Sequence, residues 1–572
     1  MYNKPLTYST PLDHFVNFAQ LTPLIAPNLE LIPLFIISPL ASSATICEQS
    51  NFAYRYSMSF KEFLDSFVPL VQEKTKQANL ACWILETTGS PDAAVLKAAL
   101  ETELRLLFND RKIFDKLVSW EKDPKIVDPL LKRQLNVLIR SFKPNLIEKK
   151  LLEKIAQEEA NLSLLYSNFR PVLKGKALLE NEIKEILKRE KNVEVRKETW
   201  EASKQIGKLL APQILSLVRL RNESAKQLGY QNYFSMQLEL QEVDEKALFE
   251  MLDDLAEKSD SAYSQMMDQI NENLAKKFKV SKEAIGPWGW SEPFCQEDPL
   301  DAKELDELVK DLDIIEAARL FFHKMGLHVE EILNRSDNFE RPGKMQQAFC
   351  INIDKEGDVR TLNNVKPTIK WLETVLHELG HAVYECGFAS ELPWLLRDPP
   401  HMITTEAMAL LAGRQAYRAK SLEQLVPGSN RGLRERAEVS LRRRQLIFSR
   451  WVLVMTYFER ELYRNPNQDL NRLWWKLVER FQKIKSSGSS TQCDWATKYH
   501  IGLAPVYYFS YLLGELFASA LENEMELFCS KNTGESLQKK LFMPGNSLSW
   551  DALIAQVTGE KLTAKTWLSQ FR

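Results

Sequence analysis

Cysteine is scarce in this chain: seven in 572 residues, with Cys47, Cys82, Cys295, Cys350, Cys386, Cys493 and Cys529 scattered and no Cys-x-x-Cys pair. That spacing offers neither a disulfide framework nor a cysteine zinc site. An excess of charge is missing too, since 75 Lys and Arg face 77 Asp and Glu. With no basic stripe interleaved with aromatics, nucleic acid is not expected as the main partner. No apolar run reaches membrane-spanning length; Trp451–Phe458 is short and bounded by Arg450 and by Glu459-Arg460. Internal repeats and low-complexity tracts are also lacking. What the chain has in quantity is apolar residues, 44% of it, enough for large cores and, at this length, for two lobes or more.

Histidine is equally scarce, seven in all, which makes one stretch conspicuous. Residues 374–388 read Thr-Val-Leu-His-Glu-Leu-Gly-His-Ala-Val-Tyr-Glu-Cys-Gly-Phe. On a helix, His377 and His381 stand one turn apart on one face, so both imidazoles can reach one metal ion, with Glu378 beside them as a base. A zinc site built for catalysis needs a third protein ligand and an open position. Glu406 is the candidate. Pro393, Pro399 and Pro400 forbid one continuous helix, Thr404 or Thr405 is a natural N-cap for the next, and Glu406 would open it. From there its carboxylate can fold back onto the metal if the two helices pack antiparallel; the spacing permits this without requiring it. The alternative is a helix that merely exposes two histidines. His401 is read as loop, because a fourth ligand would close the site, and Cys386 as a buried small residue.

Around this stretch the periodicity is helical almost throughout. Amphipathic helices succeed one another from about Phe60 to Glu242, with Ser90-Pro91 as cap and first residue leading Ala93–Phe108, and Asp244–Phe278 is a second block. The charged face Glu180–Lys191 is solvated helix surface. Gly286-Pro287-Trp288-Gly289-Trp290 breaks the period, its tryptophans as readily core as site. The strand signal is Met345–Ile353 and Asp358–Asn363 around a Lys355-Glu356-Gly357 turn, one small antiparallel hairpin. Its edge can take a peptide backbone by strand addition, or the hairpin can simply cover the core. Helices return over Ala407–Leu422, Arg431–Tyr463, Leu470–Lys485 and, after a Ser486–Ser490 linker, Pro505–Leu527. The fold class is mainly α with one small sheet beside the metal.

Residues 1–45 read as a leader. Leu31–Leu40 followed by Ala41-Ser42-Ser43-Ala44 has the form of a signal peptide cleaved after Ala44, but Lys4 is the basic residue ahead of it and Pro33 and Pro39 interrupt it. An irregular leader on a cytoplasmic protein is one expectation and export is the other. Residues 46–572 are expected to hold an N-terminal helical part, 46–245, and a catalytic part, 246–572.

A zinc peptidase must activate water, polarise the scissile carbonyl, stabilise the oxyanion and return a proton to the leaving amine. Beyond Glu378, the chain offers His500, Tyr507, Tyr508 and Tyr511 just before and within an apolar helix, with Tyr508 and Tyr511 three apart on one face.

With these residues the chain resembles the gluzincin peptidases, in particular the families of angiotensin-converting enzyme and of thimet oligopeptidase and oligoendopeptidase F, from about Gly286 to Leu521, with weaker helical similarity before it. The His-x-x-x-His-to-Glu spacing is similar to the thimet pattern. Leu392-Pro393-Trp394-Leu395-Leu396-Arg397, the Asn471–Leu477 run and Lys498-Tyr499-His500 are similar to segments of angiotensin-converting enzyme. The resemblance implies a bilobal helical ellipsoid with a deep central channel that admits short unstructured peptides. It implies one zinc per chain on His377, His381 and Glu406, Glu378 as base, and His500 with Tyr508 as oxyanion and carbonyl donors. Tyr511 matches a second functional tyrosine of the thimet group. Gln347-Ala348-Phe349 matches the strand that holds substrate backbone, and Lys498 the lysine that binds a substrate's C-terminal carboxylate. The departures are Gln347 for a strand histidine, Trp290 for a carboxylate-binding glutamine and Tyr507 for a chloride-linked arginine, which leave dipeptide release and chloride activation open. The expectation is a monomeric zinc metallopeptidase, an oligopeptidase or a peptidyl-dipeptidase. The competing expectation is a non-catalytic helical binding protein of the same fold, against which the presence of Glu378, His500 and Tyr508 speaks.

Overall fold

The computed structural model describes residues 58–300, 303–486, 492–524 and 530–571. The leader over 1–45 with its cleavage after Ala44 lies outside them, as do Cys47, Cys529 and positions 487–490 of the serine linker. Many helices begin on a side-chain oxygen that takes up an orphan backbone N–H. Ser90 accepts from Ala93 N with Pro91 as first helical residue, opening the helix Pro91–Leu107. Asp110, Asp128, Asn192 and Asp244 do the same for Arg111–Glu121, Pro129–Phe142, Val193–Ser203 and Glu245–Lys258. The block expected over Asp244–Phe278 breaks at Ser259. Its hydroxyl bonds back to Leu255 O (2.6 Å) and accepts from Arg450 Nη2 (2.6 Å), and a new helix, Asp260–Phe278, starts there.

Four helices position the site. Ile369–Cys386, the motif helix, is capped by Thr368 and buries Leu372, Val375, Leu376, Leu379, Ala382 and Val383, the three-four spacing of one apolar stripe. It packs on Met402–Gly413, the glutamate helix, which packs in turn on Phe509–Glu524, the tyrosine helix. Both approaches are close enough to need glycine. A Cβ at Gly380 would lie 2.8 Å from Ala409 Cα, and one at Gly514 2.9 Å from Glu406 Cβ, so any side chain there would push the glutamate helix away. Arg431–Arg464, the long helix, is buried all round from Ser449 to Glu459.

Ion pairs lock these helices together. Arg444 of the long helix makes two bonds, 2.7 and 2.8 Å, to Glu373, one turn before His377. Arg414, buried just past the glutamate helix, reaches Glu515 (2.9 Å) and Glu522 (3.0 Å) of the tyrosine helix. Among the described residues no helix is long and apolar enough to cross a membrane.

The expected hairpin is present as Phe349–Asn352 against Val359–Leu362, in the register Phe349↔Leu362 to Asn352↔Val359. It is shorter than the alternation suggests because Met345 N is drawn to Glu86 O (2.8 Å) and Asn364 takes the carbonyls of Met345 and Gln346. The outer edge of Val359–Leu362 is occupied by the Ser336–Asn338 segment, through Asp337 N to Thr361 O and Asn363 N to Asp337 O. A second, two-residue hairpin, Val172–Leu173 with Lys176–Ala177, corrects the expectation of one sheet. Its turn, Lys174-Gly175, has positive φ at both residues, 50° and 81°, the geometry that suits a tight hairpin.

Candidate active site

His377 and His381 leave the motif helix with ring centroids 4.9 Å apart and planes at 85°. Glu406 Oε2 lies 3.8 Å from His377 Nε2, and the ligand atoms of the three residues lie within 4.8 Å of one another. Each of the three has a further partner. Thr405 Oγ1 bonds His381 Nδ1 at 2.7 Å, leaving Nε2 for a metal. The His377 ring is bonded to the Ala409 backbone. Tyr507 Oη donates to Glu406 Oε1 at 3.2 Å. Partners of this kind fix the tautomer and orientation of metal ligands. Glu406 Oε2, by contrast, is buried without a hydrogen-bond partner among the described residues. Such an oxygen costs about 1–3 kcal/mol or more, a cost that a cation between it and the imidazoles removes.

The electrostatics fit the same ion. Burial takes His377 down to about 4 and His381 well below its ordinary value, so both rings are neutral near pH 7, the form that ligates. Burial, with Glu406 adding to it, pushes Glu378 up to about 8, and burial takes Glu406 up to about 7. A divalent cation among these groups would draw both carboxyls down. Two neutral imidazoles and a carboxylate are a donor set that suits zinc.

A row of donors continues from Glu406. The Tyr511 ring stands 5.1 Å from Tyr507 and 5.4 Å from Tyr508. Tyr508 and His500 are 4.7 Å apart, centroid to centroid. Trp451 Nε1 donates to Tyr508 Oη at 3.1 Å, so the phenol's own proton is left to be given elsewhere. Burial, and then Lys498, holds His500 down to about 3, a neutral ring whose Nδ1 is buried and unpartnered. Lys498 Nζ lies 3.2 Å from Gln296 Oε1 and 4.8 Å from the centre of the Phe294 ring. Burial brings it down to about 8 although Glu292 opposes.

Several expectations change. The glutamate helix begins at Met402 rather than after Thr404 or Thr405, which places Glu406 in its second turn. The threonines lie inside because their hydroxyls serve the motif helix, Thr405 on His381 and Thr404 accepting from Tyr384 at 3.2 Å. His401 is the cap and not loop: its Nδ1 accepts from Ile403 N at 3.0 Å and its ring packs near Phe509 and Trp550. Cys386, at the end of the motif helix, is exposed and not buried. Trp290 is core, 1% exposed, and Gln296 is the amide beside Lys498. Gln347 and Ala348 precede the strand that Phe349 opens; Gln347 is exposed and the Phe349 ring packs on Trp83 at 6.2 Å. The sequence names Thr405 as a cap and Tyr507 among the donors, but not their contacts with His381 and Glu406, and it reads Trp451 as part of an apolar run rather than as the partner of Tyr508. A second group, His323, His328 and Glu330, also meets the 4.8 Å spacing, but its histidines are exposed and Arg319 holds its carboxylate at 3.1 Å, a guanidinium that opposes a cation.

A mainly helical frame around a His-Glu-x-x-His helix and a glutamate from the helix after it is the arrangement of the gluzincin metallopeptidases. The family model described as Angiotensin-converting enzyme matches residues 55–287 and 290–572, and that described as Peptidase family M3 matches 186–393. The chain belongs to the angiotensin-converting enzyme family and is a metallopeptidase. The match starts far ahead of Gly286, so the N-terminal helices are part of the family's own fold. The Peptidase family M3 match includes His377 and His381 and stops short of Glu406.

Proposed function

We propose that the protein hydrolyses short peptides as a zinc metallopeptidase, with His377, His381 and Glu406 holding the ion and Glu378 as general base. The observation that carries this is the Glu406 carboxylate, one oxygen tied to Tyr507 and the other buried, without a hydrogen-bond partner among the described residues and 3.8 Å from His377 Nε2. A zinc ion bound there would polarise the scissile carbonyl and lower the pKa of a water. Glu378 takes the proton of the attacking water on a carboxylate oxygen and returns it to the leaving amine nitrogen. Tyr508 Oη, oriented by Trp451, and neutral His500 donate to the oxygen on which negative charge develops. Tyr511 is a second phenol next to them. The strand Phe349–Asn352 supplies backbone more than side chains. Among the described residues no strand pairs with its other edge; Asn79 Nδ2 donates to Asn352 O there at 2.9 Å, which leaves the Phe349–Cys350 end to receive an extended peptide.

The test is cleavage of an unbiased peptide mixture by metal-free and zinc-reconstituted protein, read by mass spectrometry. Activity that zinc restores is expected. Equal cleavage without zinc overturns the mechanism, and no cleavage by the zinc-loaded protein favours the binding-protein alternative. A second reading, release of C-terminal dipeptides, is favoured by one observation, the buried Lys498 ammonium with the Gln296 amide beside it. The same product spectra decide it. Dipeptides alone, lost when the substrate's C-terminus is amidated, support it; internal fragments from amidated peptides support endopeptidase action.

A further inference from the structure

Val506, the residue before the Tyr507-Tyr508 pair, has a φ of +57° and is 1% exposed. A β-branched residue in the left-handed region is strained, and such strain persists only where the surroundings over-determine it. Here they do so from both sides of the residue. Glu459 Oε1 accepts from Val506 N at 2.9 Å, and Gln241 Nε2 donates to Val506 O at 3.2 Å. Glu459 is a buried carboxyl, 1% exposed, in the middle of the long helix, where an apolar residue would pack as well but could not take up the buried N–H. Two turns earlier on the same helix is Trp451, which donates to Tyr508 Oη. The long helix therefore grips residues 506–508 at two points. The direction of this turn sets the placement of the residues beyond it: Tyr507 Oη on Glu406, Tyr508 beside His500, and the first turn of the tyrosine helix through Ser510 N to Tyr507 O and Tyr511 N to Tyr508 O.

We infer that Glu459 is a positioning residue: it holds the Val506 peptide left-handed, and that peptide sets Tyr507 on Glu406 and Tyr508 beside His500. The inference rests on Tyr508 acting as a donor in the proposed reaction. Burial pushes Glu459 up to about 8, with the Val506 N–H and Arg221 opposing, so near pH 7 an amide imitates its state and keeps an acceptor oxygen.

The test is steady-state kinetics of the zinc-loaded full chain and of E459Q, E459L, V506G, E459L/V506G and Y508F on one fluorogenic peptide. E459Q is expected to keep kcat within about threefold. E459L should lose about tenfold or more in kcat with KM changed less than about twofold and zinc still bound, the pattern of a misplaced group that acts in the transition state. Adding V506G to E459L should recover part of that loss, because glycine adopts the conformation without being held. E459L with wild-type kcat, or E459Q as impaired as E459L, overturns the inference. If E459L does not fold, V506G alone decides. A kcat within about threefold of wild type supports a held backbone, and a loss of about tenfold or more means that the valine side chain places the phenols. Y508F separates the role of the phenol from that of Glu459. A normal Y508F overturns the phenol's role whatever E459L does, and a crippled Y508F with a normal E459L overturns only the part assigned to Glu459.

Discussion

Tyr507→Phe should weaken zinc binding while leaving the ligands in place. The bond removed is Tyr507 Oη to Glu406 Oε1, 3.2 Å long, and the other oxygen of that carboxylate has no hydrogen-bond partner among the described residues. Hydrogen bonds to charged groups contribute about 1.5–3 kcal/mol, and a length at the upper limit of the range puts this one near the lower figure. About 1.4 kcal/mol is a factor of ten, so the zinc dissociation constant should rise about tenfold. A second effect has the same sign. Burial raises Glu406 and the Tyr507 hydrogen bond opposes it, so the variant's carboxyl should hold a proton more tightly and compete better with the metal as pH falls. The phenylalanine ring keeps the packing on Tyr511, 5.1 Å away. The assay is competition for zinc with a fluorescent chelator at pH 7.5 and 6.5, with Tyr511→Phe as control, expected within about threefold of wild type. Zinc binding by Tyr507→Phe within about twofold of wild type at both pH values would rule out this role for the Tyr507 hydroxyl, as would a larger effect of Tyr511→Phe.

Glu406→Ala should purify without stoichiometric zinc, since two imidazoles alone make an incomplete site; one zinc per chain by atomic absorption would mean that another residue is the third ligand. Tyr508→Phe should lower kcat about a hundredfold to a thousandfold at nearly unchanged KM, and a crippled Tyr511→Phe beside a normal Tyr508→Phe would exchange their roles. Glu373, although burial raises it, is held down to about 2 by Arg444 and Lys370. A carboxyl whose folded value is depressed contributes stability that is full above its ordinary pKa of about 4.3 and is lost as pH falls toward the folded value. Arg444→Gln should therefore melt below wild type at pH 7, and the gap should close between about pH 4.3 and 2. A gap in circular-dichroism melting that stays constant over that window would contradict this.

The motif helix and many helix starts were legible because they rest on neighbours in sequence. His377 and His381 share a face by helical spacing alone, and Ser90-Pro91 caps its own helix. Glu406 was legible as the acid after a proline break, but its helix start was not. Thr405 looks like a cap until the motif helix claims its hydroxyl for His381, a contact across 24 positions. Tyr507 and Glu406 are 101 positions apart, and Glu459 and Val506 47, pairs that only helix packing brings together. The strand beginning at Phe349 is shorter than its alternation because Met345 bonds to Glu86, a partner no local pattern reveals. The Val172–Ala177 hairpin is too short to alternate at all and is marked only by Lys174-Gly175.

In the proposed reaction Glu378 moves the proton of a peptide hydrolysis supported by zinc. Glu378→Gln keeps the shape of the side chain and leaves His377, His381 and Glu406 untouched, so it separates the base from the metal. Zinc content and turnover of one peptide, measured side by side for wild type and variant, test that role of Glu378. One zinc per chain is expected in both, with a turnover about a hundredfold to ten-thousandfold lower in the variant. A zinc-loaded Glu378→Gln that cleaves the peptide at the wild-type rate would contradict it.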